Sequence, residues 1–212
     1  MKYYLEITLL PDAEANLGFL WQKIYQQIHI ALVDNKIGEN ESAVAVAFSR
    51  YGDKQFPLGD QLRLFAETEI QLNELNIPTW LSRFKDYVHI KSIKPVPEKI
   101  THVCFIREHV KGEAGIEKKM HAKAKYWSEK SGKPLEECLL SLEKSKPKAR
   151  STRPFIWLES QQTKQRDPAK SSKFPLFIKR IELENPQKGH VNCYGLNANH
   201  KDISKWVSVP QF

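Results

Sequence analysis

Between Tyr3 and Ile93 the chain switches between two hydrophobic periods in a fixed order, and that order restricts the fold more than any other property of the sequence. Tyr3 to Leu10 (YYLEITLL) has the character of a strand. From Asp12 to Asn35 the residues Leu17, Leu20, Trp21, Ile24, Ile28 and Leu32 recur at helical spacing and predict one amphipathic helix. Ser42 to Tyr51 (SAVAVAFSRY) and Gln61 to Glu67 (QLRLFAE) alternate again and predict a hairpin-like pair around a loop with Gly52, Pro57 and Gly59. Glu69 to Val88 returns to the helical period with a break or restart at Pro78, since the residue before a proline is pushed out of the α region. Val88 to Ile93 (VHIKSI) closes the series as a strand. The resulting order, βαββαβ, is that of ferredoxin-like folds, an α+β arrangement that hosts many RNA-binding domains but fixes no function.

Pro95 and Pro97 mark a boundary, giving a ferredoxin-like domain over 1–96 and a second domain over 97–212. In the second, Thr101 to Val110 reads as a strand and Glu113 to Lys130 as a helix crowded with lysines. Gly132 and Pro134 end that helix, and a shorter one follows from Leu135 to Glu143. Lys144 to Arg153 (KSKPKARSTR) is a basic connector. Phe155 to Ser160, Phe174 to Leu183 and His190 to Leu196 complete the expected strands, with Gln161 to Ser172 as a mobile loop.

The 212 residues are 41% hydrophobic with a mean hydropathy of −0.53, which suits one large or two small soluble domains. No run approaches the eighteen apolar residues of a membrane span, and the opening segment lacks a signal-peptide pattern, so the expectation is a cytoplasmic protein with no membrane partner. Cys104, Cys138 and Cys193 are odd in number, far apart and in no C-x-x-C pair, so they support neither a disulfide framework nor a zinc site and read as buried or idle thiols. Charge is unevenly placed. Residues 1–100 hold 11 Lys and Arg against 13 Asp and Glu, a net of −2, whereas residues 101–212 hold 22 against 12, a net of +10. A near-neutral half followed by a basic half predicts a scaffold carrying a polyanion-binding surface.

Two groups of residues suggest chemistry. On a helical wheel with Leu17 at zero, Leu20, Ile24 and Ile28 fall near 300°, 340° and 20°, and His29 near 120°. The histidine therefore flanks the buried stripe, either as an idle half-exposed side chain or as one that packing holds toward a ligand. In the second domain Lys118, Lys119, Lys123 and Lys125 line one broad flank, with His121 among them. Like charges at that spacing oppose an isolated helix by about 0.2–0.5 kcal/mol per pair, a repulsion that a phosphate backbone would relieve. With Lys144, Lys146, Lys148, Arg150 and Arg153 in the connector, nucleic acid is favoured over a merely solvated face. Phosphate contacts would set affinity, and Arg107 or His109 could read base edges. The chain has no P-loop, H-E-x-x-H, G-x-S-x-G or C-x-x-C, and Glu67 with Glu69 and Glu136 with Glu137 read as surface carboxylates.

The strings QQIHIALV around His29, FIWLESQQT around Ser160, KFPLFIKR and the terminal NCYGL, in that order and spacing, resemble the CRISPR precursor-RNA processing endoribonuclease of type I-F systems. The resemblance covers most of the chain, clearest over the first forty residues and from Phe155 onward. It implies a ferredoxin-like domain joined to a C-terminal domain whose basic helix enters the major groove of a repeat hairpin, with the cut at the hairpin's 3′ base. It implies that His29 is the base on the 2′-OH before the cut, that Ser160 holds that ribose, and that Tyr194 orients the histidine. Attack of the 2′-oxygen on the adjacent phosphate would leave a 2′,3′-cyclic phosphate and a 5′-OH with no metal and no cofactor, and DNA would bind without being cut. The donor of a proton to the departing 5′-oxygen, a lysine or water, stays open.

For recognition the resemblance places Arg107 at a guanine-reading arginine, His109 at a second base reader that is a glutamine in the family, and Phe174 at an aromatic that stacks on the terminal base pair. Thr163 falls near the cleaved backbone, and Gln161 joins the expected RNA-binding residues. The family's groove helix is arginine-rich, whereas here it is lysine-rich, which keeps phosphate attraction but loses bidentate base contacts; the loop after Thr163 is also longer. The implied partners are a CRISPR repeat RNA hairpin, which the protein keeps after cutting, and the other subunits of a type I-F effector complex, with a monomer when free. The rival expectations are a non-catalytic hairpin-binding subunit, and a basic protein that binds ribosomal RNA or anionic lipid by charge alone.

Overall fold

The computed structural model describes residues 1–10, 12–110, 113–146, 153–167, 169, 172–198 and 202–212. The protein is α+β, with antiparallel pairing dominating both of its sheets. It divides into two compact units, one of Met1–Glu108 with Arg153–Phe212 and the other of His109–Thr152.

The first unit opens with β1 (Tyr3–Leu9), α1 (Leu17–Asp34), β2 (Ala45–Phe48) and β3 (Gln61–Ala66). Two short helices, α2 (Glu69–Glu74) and α3 (Ile77–Trp80), precede β4 (Val88–Ile90) and β5 (Lys94–Pro95). The sheet order is β2-β3-β1-β4, antiparallel throughout, with β5 also pairing with β1. Alternation decides which face is covered: Leu5, Ile7 and Leu9 of β1 are buried in one core with Leu20, Trp21, Ile24, Ile28 and Leu32 of α1.

Beyond residue 100 lie β6 (Thr101–Glu108), the helices α4 (Glu113–Ser131) and α5 (Leu135–Glu143), and β7 (Phe155–Glu159). There follow α6 (Gln161–Arg166), β8 (Lys173–Leu183), β9 (Asn197–Ala198) and β10 (Val209–Gln211). The second sheet runs β10-β6-β8-β7, with β9 parallel to β6. Both sheets belong to the first unit and share its core, where Phe105 of β6 meets Phe48 of β2 edge-on at 5.3 Å. The second unit is α4 and α5, joined through Gly132 at φ 71°; Ile116, Met120 and Ala124 pack on Cys138 and Leu142.

Several expected elements differ. The helix expected over 69–88, with a break or restart at Pro78, breaks at Asn76, which adopts φ 46°, and restarts at Ile77 as α3 with Pro78 in its first turn. Proline at the second position of α3 costs no hydrogen bond, because first-turn N–H groups have no helical partner, and asparagine tolerates the left-handed region. The strand expected over 88–93 ends at Ile90, and Lys91 N–H bonds Glu6 O at 2.9 Å outside the ladder. Gln161 to Ser172 is not simply a loop, since it begins with α6, capped by Ser160. His190 to Leu196 is not a strand but a turn carrying one bridge, Ser42 to Val191. The short β9 and β10 went unanticipated. Lys148 and Arg150 of the basic connector lie outside the described residues.

Candidate active site

Helix α1 begins at Asn16, whose side chain accepts the Phe19 N–H. Its buried stripe fixes the rotation, so that His29 stands at the margin of the core beside fully buried Ile28. His29 Nδ1 lies 2.8 Å from the carbonyl oxygen of Cys193. A carbonyl can only accept, so Nδ1 carries the proton, and the neutral ring keeps Nε2 as its acceptor. Burial pushes the His29 pKa below its ordinary value, and the Arg107 charge pushes the same way against the Cys193 carbonyl. The imidazole is thereby held neutral with one defined tautomer.

The carbonyl is supplied by the NCYGL turn. Asn192 Oδ1 accepts the Tyr194 N–H at 2.8 Å, and the Gly195 N–H donates to Asn192 O at 2.7 Å. Gly195 has φ 71°, and a Cβ there would lie 2.2 Å from Val46 Cγ2, so the turn can press against β2 only with glycine. The turn also presents Tyr194 parallel to His29, centroids 4.1 Å apart and planes 4° apart. Tyr25 Oη donates to the Tyr194 carbonyl at 2.7 Å. The Arg107 guanidinium, from β6, lies 4.4 Å from the Tyr194 ring centre and 5.6 Å from that of Phe174, which meets Tyr194 edge-on at 6.4 Å.

Ser160 follows β7 and caps α6, its Oγ accepting from the Thr163 N–H at 3.2 Å and lying 3.0 Å from Thr163 Oγ1. Gln26, one turn before His29, ties this segment to α1, its Oε1 accepting the Glu159 N–H at 2.9 Å. Gln26 Nε2 is buried with no partner among the described residues. His29, Ser160, Gln161 and Tyr194, with Gln26 and Lys36, line a single cleft of about 360 Å³.

The first unit thus brings His29, Ser160 and Tyr194 to one cleft, with Gln161 on its wall, Thr163 on Ser160, and Arg107 and Phe174 around Tyr194. His109 is exposed past the end of β6 and, with the exposed Lys118, Lys119, Lys123 and Lys125, belongs to the second unit. Lys123 Nζ lies 4.7 Å from the Trp127 ring centre. Sequence reasoning missed Gln26, Lys36 and the Cys193 carbonyl. The position of Gln26, three residues before His29 on the same helix, was a usable signal; a backbone carbonyl leaves none. Among the described residues, no three His, Cys, Asp or Glu side chains cluster to hold a metal, and no helix is long and apolar enough to cross a membrane.

Residues 4–212 match the family described as CRISPR-associated protein (Cas_Csy4). The chain belongs to the Cas_Csy4 family. Two similar proteins are each called CRISPR-associated endonuclease Cas6/Csy4. That of Escherichia coli (strain UTI89 / UPEC) is 28% identical over 199 residues, spanning 93% of this chain and 96% of the relative. That of Pseudomonas aeruginosa (strain UCBPP-PA14) is 26% identical over 200 residues, with the same coverage of 93% and 96%. A solved structure described as "An RAMP protein binding different RNA substrates" aligns over 99% of both chains at 12% identity with a TM-score of 0.35, a likeness too loose to bear on this Cas_Csy4 chain.

Proposed function

We propose that this chain is a metal-independent endoribonuclease that cuts CRISPR repeat hairpins in precursor RNA and remains on the product hairpin. The observation that carries the reading is the Nδ1 contact from His29 to the Cys193 carbonyl, which leaves Nε2 free to act as a base in the cleft that also holds Ser160. His29 takes the 2′-OH proton, Ser160 holds that ribose, and Tyr194, stacked on the imidazole, positions it. The 2′-oxygen attacks the adjacent phosphorus, leaving a 2′,3′-cyclic phosphate and a 5′-OH. One base contributes roughly 10²- to 10⁴-fold, and alignment of the reacting atoms supplies much of the rest.

The strand order β2-β3-β1-β4 supports a ferredoxin-like reading of 1–96, and 97–212 is then the hairpin-binding domain. Its exposed lysines 118, 119, 123 and 125 on α4 meet phosphates, with Arg107 and His109 reading bases, Phe174 stacking on the terminal pair, and Gln161 and Thr163 near the cut. The relatives' names support a role in CRISPR systems. On this reading the protein acts in the cytoplasm, is a monomer when free, and joins a type I-F effector complex on its product. The test is cleavage of a type I-F repeat hairpin in EDTA, comparing an all-ribose strand with one carrying a single 2′-deoxy at the cut. Cutting of the ribose strand alone, ending in a cyclic phosphate and abolished by His29→Ala without loss of hairpin affinity, is expected. Tight binding to both strands with cleavage of neither would make the protein a non-catalytic subunit.

A further inference from the structure

A base alone does not complete the proposed reaction: as the P–O5′ bond breaks, the leaving oxygen needs a proton, and nothing so far supplies it. Among the described residues lining the cleft, Lys36 carries the only ammonium or guanidinium. The other lining protons suit the role poorly. In the proposed reaction the single Ser160 hydroxyl proton is used on the ribose, and burial pushes the Cys193 thiol pKa up. Tyr194 turns its ring face to His29 in the stack, which gives it the role of positioning the imidazole.

Lys36 is exposed just past the C-terminal end of α1, on a four-carbon stem that can follow a substrate. It makes no ion pair among the described residues. Its charge reaches Cys193, the residue whose carbonyl holds His29, and opposes the effect of burial on that thiol. The cleft also contains the carboxylates of Glu39 and Glu159, so an RNA phosphate entering it needs a cation.

We infer that Lys36 is the general acid of this site, donating its Nζ proton to the departing 5′-oxygen. The inference rests on the endoribonuclease reading. In the full step the 2′-OH proton passes to His29 Nε2, the 2′-O–P bond forms, the P–O5′ bond breaks, and O5′ receives a proton from Lys36. Lys36 is left as a neutral amine and His29 as imidazolium, and exchange of one proton through water resets both.

The test replaces the 5′-bridging oxygen at the cut by sulfur, whose thiolate departs without protonation, and measures single-turnover cleavage by Lys36→Met and Lys36→Arg. On the oxygen substrate both variants should lose roughly 10²-fold or more, since arginine keeps the charge but is too weak an acid. On the sulfur substrate both should recover the wild-type rate, while His29→Ala, lacking the base, stays slow on both. Hairpin affinity should be unchanged in Lys36→Arg, which keeps the cation, and rates are read at saturating protein so that any loss of affinity in Lys36→Met does not enter them. Wild-type activity of Lys36→Met, an equal loss on oxygen and sulfur, or full activity of Lys36→Arg would each overturn the assignment; the first would leave Lys36 as a cation at a helix C-terminus, the last as a charge and no acid. Failure of the wild-type protein to cut the oxygen substrate would instead overturn the endoribonuclease reading itself.

Discussion

His29 gains its chemistry from three contacts of different kinds: the core beside it, the Cys193 carbonyl and the Tyr194 ring. Burial and the Arg107 charge both disfavour the imidazolium, so the acid limb of the cleavage rate against pH should have its midpoint below the ordinary histidine value of about 6.5. Single-turnover rates between pH 5 and 8 measure it. A midpoint above that value would mean that the ring is charged where the contacts hold it neutral. The same depression ties folding to pH. The unfolded chain takes up the proton at higher pH than the folded one, so this contribution to stability is complete above about 6.5 and declines as the pH falls through that value toward the folded pKa. Thermal melts of wild type and His29→Gln across this interval should converge toward acid pH.

At the scale of elements, the site is assembled where α1, the end of β7 and the NCYGL turn meet. Gln26 fixes the first junction by one hydrogen bond to the Glu159 N–H; Gln26→Leu would leave that N–H unpaired at a cost of about 1–3 kcal/mol, offset in part by removing the unpartnered Gln26 Nε2. The expected result is a lower melting temperature and a slower single-turnover rate with hairpin affinity preserved. If Gln26 acts through the Ser160 segment, its effect on rate should shrink in a Ser160→Ala background; full additivity of the two losses would refute the coupling. Gly195→Ala strikes the second junction, where the left-handed backbone alone costs about 1–3 kcal/mol and the clash with Val46 adds to it. Melting should fall by several degrees, and cleavage should fall with it as Tyr194 and the Cys193 carbonyl leave His29.

These junctions also mark where the sequence stopped being legible. β1, α1, β3, α4, α5 and β8 follow from periodicity because each buries a face. The NCYGL segment looked like a strand because Val191, Cys193 and Leu196 are apolar, yet Asn192 and Gly195 impose a turn that no hydrophobic period records. α6 was hidden because its six residues are polar, and its one signal was the capping hydroxyl of Ser160. His29, Ser160 and Tyr194 were located by resemblance, whereas the tautomer of His29 depends on a backbone carbonyl 164 residues away in the chain.

For the whole molecule, charge and stability are divided between the units. Residues 109–152 hold 11 Lys and Arg against 6 Asp and Glu, a net of +5, half of the excess beyond residue 100. Among the described residues of that unit the buried set is Ile116, Met120, Ala124, Cys138 and Leu142, and the lysines at 118, 119 and 123 contribute nothing to it. Replacing those three lysines by glutamine therefore leaves the buried set in place: it relieves the like-charge repulsion of Lys119 and Lys123, about 0.2–0.5 kcal/mol, and gives up the Lys123 contact with the Trp127 ring, about 0.5–1 kcal/mol at an exposed site. A loss of RNA binding in this variant cannot then be ascribed to unfolding, provided its melting temperature is nearly unchanged. If the lysines meet phosphates, the slope of log affinity against log salt should flatten by about 0.7–0.9 for each contact removed, roughly 2 to 3 in all. Chemistry at the His29 cleft would be untouched, so at saturating protein the variant should cut at the wild-type rate. A slowed reaction at saturation would show that these lysines align the substrate as well as hold it, and an unchanged salt slope would remove α4 from the RNA interface.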